Sequence, residues 1–319
     1  MSEKKSQLQI IAIGMAMFSM FFGSGNTVFP VLIGAQVGSE INSAIAGFVL
    51  TAVLLPLFGL YVLSLYDGSY FSFFSRLGKR FGLAMILLIM LLVGPFAIIP
   101  RCIIIAYGSL KGVVPFLSLP IFSFFSCLII FFCTYKKRKI LELLGVYLTP
   151  LLLLCLFVII IKGFLSPSDS AALSSYSSLS AFKHGLLEGY NTMDFYGSFL
   201  FSNVVLLGIR NIDSQLIRKP KKLLFLYLKA SSIGMGLLAL IYIGMGKVAA
   251  YQNFDLQRVG QDEVLALLAR SLLGNSGGII VSIAVCLACL TTAISLALVF
   301  SDFTAKDVFK NKFSYSQVL

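Results

Sequence analysis

The chain of 319 residues holds one histidine, His184, and 13 acidic residues against 25 basic ones. An intramembrane serine hydrolase needs a base beside its nucleophile, and no histidine lies within an apolar stretch to serve. Metal-assisted hydrolysis needs clusters of His or carboxylate, yet only one acid, Asp194, lies well inside an apolar run. Charge is scarce altogether, at 12% against roughly 25% in soluble domains. With 58% hydrophobic residues and a mean hydropathy of +0.96, the solvent for this surface is lipid. The net charge of +12 does not signal nucleic acid, because the basic residues gather in short connectors, as in Lys136–Lys139. Six cysteines are spread over the apolar runs. Cys286 and Cys289 form a CxxC there, which reads as small hydrophobes rather than a redox or metal motif. His184 reads as a surface residue.

Crossing the hydrocarbon core takes about 20 apolar residues in a helix. That rule predicts eight helical spans, near 9–30, 43–65, 82–107, 116–134, 141–162, 190–210, 223–246 and 276–300, in one transmembrane domain over 1–319. The basic N-terminus runs into the first span without a small-residue cleavage site, so that span is read as uncleaved. Basic residues follow the even-numbered spans: Arg76, Lys79 and Arg80, the Lys136–Lys139 run, Arg210, Arg218, Lys219, Lys221 and Lys222, then Lys306, Lys310 and Lys312. Lys4 and Lys5 share that side, while Lys111, Lys183, Lys247, Arg258 and Arg270 are scattered on the other. The bias places the N-terminus in the cytoplasm. Residues 166–184 read as a Ser-rich outer loop, and 247–273 as a connector with room for a short amphipathic surface helix.

Two spans are interrupted. The first contains FFGSGNTVFP (21–30), where glycines and small polar residues disfavour helix about 22 Å along it, at 1.5 Å per residue from Ile10. Unwound backbone at that depth needs a polar cavity; Gly23-Ser24-Gly25 alone would also fit a close helix-packing groove. The sixth contains LLEGYNTMDFYGSF (186–199), with Asn191, Thr192 and the costly acid Asp194. Gly-Asn-Thr at 25–27 is echoed by Tyr-Asn-Thr at 190–192, in spans that face opposite ways. Interrupted segments at corresponding places in two halves point to an inverted-repeat secondary transporter. Arg101 lies at a depth similar to that of Asp194, which suggests a charge pair, either an outer gate or a structural link.

FFGSGNTVFP, GPFAIIPR (94–101), EGYNTMD (188–194) and LACLTTAIS (287–295) together resemble the bacterial branched-chain amino acid:cation symporters. The resemblance implies an all-α, LeuT-like inverted-repeat fold in the bacterial inner membrane, with spans one and six discontinuous. It implies uptake of leucine, isoleucine and valine driven by sodium or protons, with no other cofactor. Family members usually exceed 400 residues with about twelve spans, so the second repeat is expected to be incomplete and a non-transporting remnant or partial subunit is the alternative. In sites of this kind the backbone of Ser24, Gly25, Asn26 and Thr27 would hold the substrate carboxylate. Tyr190, Asn191 and Thr192 would hold its amino group, and Phe22 and Phe195 would flank its side chain. Sodium would be held by Thr291 and Thr292 with carbonyls near Ser19, Phe22 and Ala288; the alternative for the threonines is bonding to their own helix.

Overall fold

The computed structural model describes residues 3–111, 113–114, 116–135, 143–166, 171, 173–212, 220–252, 260, 263–310, 312 and 315–318, all helix or connection without a strand. Lys136–Lys139, Arg218, Lys219, Arg258 and parts of the 166–184 and 247–273 connectors lie outside the described residues.

The chain begins with α1 (Glu3–Phe21) and α2 (Ser24–Val37), separated at Phe22 and Gly23. Next come α3 (Ile41–Val49) and α4 (Leu55–Ser64), joined by a π turn over Leu50–Leu54, and a short α5 (Tyr70–Phe74). A second π turn, Leu92–Phe96, joins α6 (Lys79–Leu91) to α7 (Ile98–Lys111). Pro95 has no N–H and Gly94 is non-helical there, so the ladder opens. The remaining helices are α8 (Leu119–Tyr135), α9 (Thr149–Leu165), α10 (Ser178–Asn191), α11 (Asp194–Ile212), α12 (Pro220–Ala250), α13 (Val264–Phe303) and α14 (Tyr315–Val318).

Among the described residues, six helical stretches are long and apolar enough to cross a membrane. The expected count of eight differs for two local reasons. The first span is split at Phe22–Gly23, leaving Gln7–Phe21 short of the length, and Leu119–Tyr135 is likewise short. Large apolar side chains on the outside, among them Phe124, Phe132 and Leu154 at 62%, 70% and 63% exposure, mark a surface made for lipid rather than water.

Two expected connectors turn out partly helical. Residues 178–184 begin α10, where the Ser177 side chain accepts the Ser180 amide as an N-cap. Residues 264–273 start α13, which turns at Gly274 (φ 64°). Its first turns bury Val264, Leu265, Leu268 and Ala269, so this segment packs inward instead of lying on the surface.

Glycines set the helix spacing. A Cβ on Gly185 of α10 would collide with the Ala44 carbonyl of α3, and one on Gly47 of α3 with the Phe182 carbonyl of α10. Likewise α12 lies along both halves of the first span, through Gly234 against α1 and Gly246 against α2. Such small-residue seams let backbones approach and gain dispersion, the main attraction available between helices in lipid. At the end of the bundle that carries Arg210, the Arg210 guanidinium pairs with Asp67 at 3.1 Å and the Tyr70 hydroxyl donates to Asp307 at 3.3 Å. Burial, then the Asp307 charge, pushes the Tyr70 hydroxyl well above its ordinary pKa.

The seams predict a contrast between two glycines. Gly185→Leu should destabilise the protein by about 1–3 kcal/mol, since backbone rather than a flexible side chain must yield. Gly236 in α12 has open space around its would-be Cβ, so Gly236→Ala should be neutral or stabilising by up to about 1 kcal/mol. Thermal unfolding in detergent reads both.

Candidate functional site at the two helix breaks

Ending α1 at Phe21 frees backbone carbonyls that a continuous helix would use. Each finds a side chain. The Asn26 Nδ2 donates to the Phe21 carbonyl at 2.9 Å. The Thr291 hydroxyl on α13 lies 3.0 Å from the Ser19 carbonyl, and the Thr292 hydroxyl lies 3.2 Å from that of Met20 and 3.4 Å from that of Ser19. Gly23 is extended (φ −117°, ψ −154°), and a Cβ there would run into Thr292. The break is thus packed directly on α13.

Across the bundle, α10 ends at Asn191 and α11 starts at Asp194, with Thr192 and Met193 between. Asp194 is 6% exposed. Its carboxylate accepts from Asn26 at 2.8 Å and from the Tyr242 hydroxyl of α12 at 3.3 Å. Asn26 also contacts the Tyr242 oxygen. An acid in the first turn of a helix faces the positive end of the helix dipole, which helps hold this charge in the interior. Asn26 therefore ties the two breaks together, with Tyr242 as the third corner.

Ser24, Gly25, Asn26, Arg101, Thr192 and Asp194 line one cavity, with Phe21, Val93, Phe201 and Leu296 as its apolar wall. Its volume is about 20 Å³, room for roughly one water. Thr27 donates its amide to the Gly23 carbonyl, which leaves the Ser24, Gly25 and Asn26 amides without an acceptor in their own helix. Cys102 donates to the Ser24 hydroxyl at 3.6 Å.

Beside this cavity is an oxygen cluster. Thr291 lies within bonding distance of two carbonyls, Ser19 at 3.0 Å and Ala288 at 2.9 Å, with one hydrogen to give. Thr292 is in the same position toward Ser19 and Met20. The Ser19 hydroxyl is buried without a partner. Carbonyls and hydroxyls with more lone pairs than hydrogens, and no nitrogen or sulfur donor, are the set a hard cation takes.

A family model described as branched-chain amino acid transport protein matches residues 6–319. The chain belongs to this family. Among its relatives, a putative branched-chain amino acid carrier protein of Staphylococcus epidermidis is 32% identical over 311 residues, covering 91% of this chain and 68% of the relative. The branched-chain amino acid permease BraB of Bacillus subtilis is 30% identical over 306 residues, covering 93% and 67%. The described fold is shared with Mhp1, a nucleobase-cation-symport-1 family transporter solved in a closed conformation with bromovinylhydantoin bound. That likeness has a TM-score of 0.64 at 16% identity, over 97% of this chain and 68% of that one, and bears on fold alone. The family and these relatives are transport proteins, which sets the chain apart from enzymes. The family match covers nearly the whole of this chain, and the chain spans about two thirds of the length of these relatives.

Within the family site, several residues stand elsewhere than expected. Among the described residues Arg101 forms no ion pair with Asp194. It donates instead to the Asn191 carbonyl at 3.3 Å and lies over the Phe29 ring at 4.7 Å. Similar depth set the two residues level, but their side chains face different neighbours. Tyr190 is 44% exposed and meets the Tyr196 hydroxyl, while the Asn191 side chain turns to Glu188; of that trio only Thr192 lines the central cavity. Ser24 to Thr27 are the first turn of α2 rather than unwound backbone, and the Thr27 hydroxyl donates back to Ser24. Phe22 stacks between Phe18 and Tyr242, and Phe195 packs on Phe199, so neither lines that cavity. Tyr242 was missed; a lone hydroxyl among apolar residues (Leu240–Ile243) was its signal.

The network predicts an order of cost. Asn26→Ala leaves the Phe21 carbonyl and Asp194 short of partners and should cost about 1–3 kcal/mol per orphaned group. Tyr242→Phe leaves Asp194 its Asn26 bond and should cost about 1 kcal/mol. Chemical or thermal unfolding in detergent ranks the two variants, and equal costs would contradict the bridging role of Asn26.

Proposed function

We propose that the protein is a secondary active transporter that takes up leucine, isoleucine and valine with a coupling cation by alternating access. The observation that carries this is the pairing of two helix breaks, tied by Asn26 and Asp194, beside the oxygen cluster of Ser19, Met20, Ala288, Thr291 and Thr292. The substrate carboxylate would take the amides of Ser24, Gly25 and Asn26 at the positive end of α2. Its ammonium would sit toward Asp194 and the carbonyl end of α10. Sodium suits the all-oxygen donor set, and the unpartnered Ser19 hydroxyl adds one more candidate ligand.

Further support comes from the relatives and from the sequence. The relatives' names specify branched-chain amino acids, and the interrupted segments fit a LeuT-like pair of inverted repeats with eight spans in a single domain. The basic bias of the even-numbered connectors favours a cytoplasmic N-terminus in a bacterial inner membrane. A cavity of about 20 Å³ is too small for an amino acid, so binding requires the walls to part. Such parting is what a carrier that closes between two open states would need.

Proteoliposomes test the reading. Labelled leucine should enter faster under an inward sodium gradient and be displaced by valine and isoleucine. Uptake indifferent to both would end it. Thr291→Val and Thr292→Val keep side-chain shape but remove the hydroxyls. Each should reduce sodium-stimulated uptake at least tenfold, about 1.4 kcal/mol of cation binding, with folding retained by thermal unfolding.

A further inference from the structure

Met193 stands between α10 and α11 with φ at +62°, a region that L residues avoid because Cβ crowds the carbonyl that follows. Its backbone is fully engaged. The N–H donates to the Tyr190 carbonyl at 3.1 Å, and its own carbonyl accepts the amides of Tyr196 and Gly197 at 3.1 and 3.3 Å. Glycine would hold those bonds without strain. What methionine adds is the side chain, and strain retained for a side chain next to a binding site directs attention to that side chain.

Met193 borders two cavities. One is the central cavity of about 20 Å³ at the helix breaks. The other, about 160 Å³, lies beyond it, walled by Ile89, Leu92 and Val93 of the α6 region and by Tyr190, Asn191 and Tyr196. Only Val93 and Met193 belong to both walls. The second wall carries no charged side chain, and its two tyrosines direct their hydroxyls at each other.

We propose that the larger cavity receives the branched apolar side chain of the amino-acid substrate, and that Met193 is the movable partition deciding which side chains enter. The inference rests on the functional reading above and goes further by naming the subsite and its selector. With the zwitterionic head held at the Ser24–Asn26 amides, a four-carbon side chain has no room in the central cavity. The adjoining apolar space is where it fits. An unbranched thioether with three rotatable bonds can swing aside as the ligand enters. A charged side chain there would lose its water and meet no opposite charge in the wall, which favours leucine, isoleucine and valine over charged amino acids.

The test compares wild type, Met193→Gly and Met193→Phe by two readouts: competition of labelled-leucine uptake by a panel of amino acids, and the thermal shift each amino acid produces on purified protein. Glycine suits the backbone at this position, so Met193→Gly should fold. It should raise the potency of phenylalanine relative to valine at least tenfold. Met193→Phe should weaken leucine at least tenfold while alanine and 2-aminobutyrate keep wild-type potency. If wild type binds leucine and both folded variants keep its order of preference, this inference alone is overturned. If wild type binds no amino acid in the panel, the functional reading fails and takes this one with it.

Discussion

The carboxamide of Asn26 is the contact on which the rest depends. In lipid a broken helix is tolerated only if every freed backbone group is satisfied from within the protein. Asn26 closes the last carbonyl of α1 from the first turn of α2, so one side chain spans the break it belongs to. The same nitrogen reaches Asp194 at the start of α11, making the stability of the first break conditional on the position of the second. The Ser19 and Met20 carbonyls pass their requirement to Thr291 and Thr292. Three helices are thereby committed to the break, and the first turn of α2 faces the polar cavity through Gly25 and Asn26.

If the proposed function holds, that arrangement would link two kinds of ligand through a short piece of chain. Carbonyl oxygens bonded only by side chains end α1, amides outside the helical ladder begin α2, and only Phe22 and Gly23 stand between them. On the proposed reading, a cation ordering the first set would fix the position of the second, and an anion at the second would reciprocate. The glycine seams hold α12 along both halves, so the break is braced from behind. The π turn at Leu92–Phe96, opened by Gly94 and Pro95, brings Val93 to the front of the cavity.

Much of this was legible in the residues. Lipid as solvent, helices only, and interruptions within FFGSGNTVFP and near 190–194 follow from local chemistry that composition and hydropathy expose, whereas the Thr291–Thr292 pair stood out only through the family resemblance. What was not legible is azimuth. Counting residues from a span's end gives depth but not the direction in which a side chain points, so Arg101 and Asp194 looked like partners when Arg101 faces Phe29 and the Asn191 carbonyl. Tyr190 and Asn191 turn away from the central cavity for the same reason, since consecutive residues leave a helix about 100° apart and of that trio Thr192 alone lines it. Tyr242 escaped because nothing in its own span is interrupted; its role exists only once α12 lies against both breaks. The Ser-rich stretch at 178–184 looked like a loop because serine favours caps and turns, yet only Ser177 acts as the cap and the rest is held helical by the fit of Gly185 and Gly189 to α3.

Equilibrium binding of leucine to the purified protein across a range of sodium concentrations addresses the central claim most directly, because it needs neither a gradient nor turnover. If carbonyls and amides on either side of one break serve the two ligands, leucine affinity should rise with sodium, and sodium affinity should rise with leucine by the same factor, at least fivefold for about 1 kcal/mol of coupling. Leucine affinity that stays constant from sodium-free buffer to saturation would contradict the account.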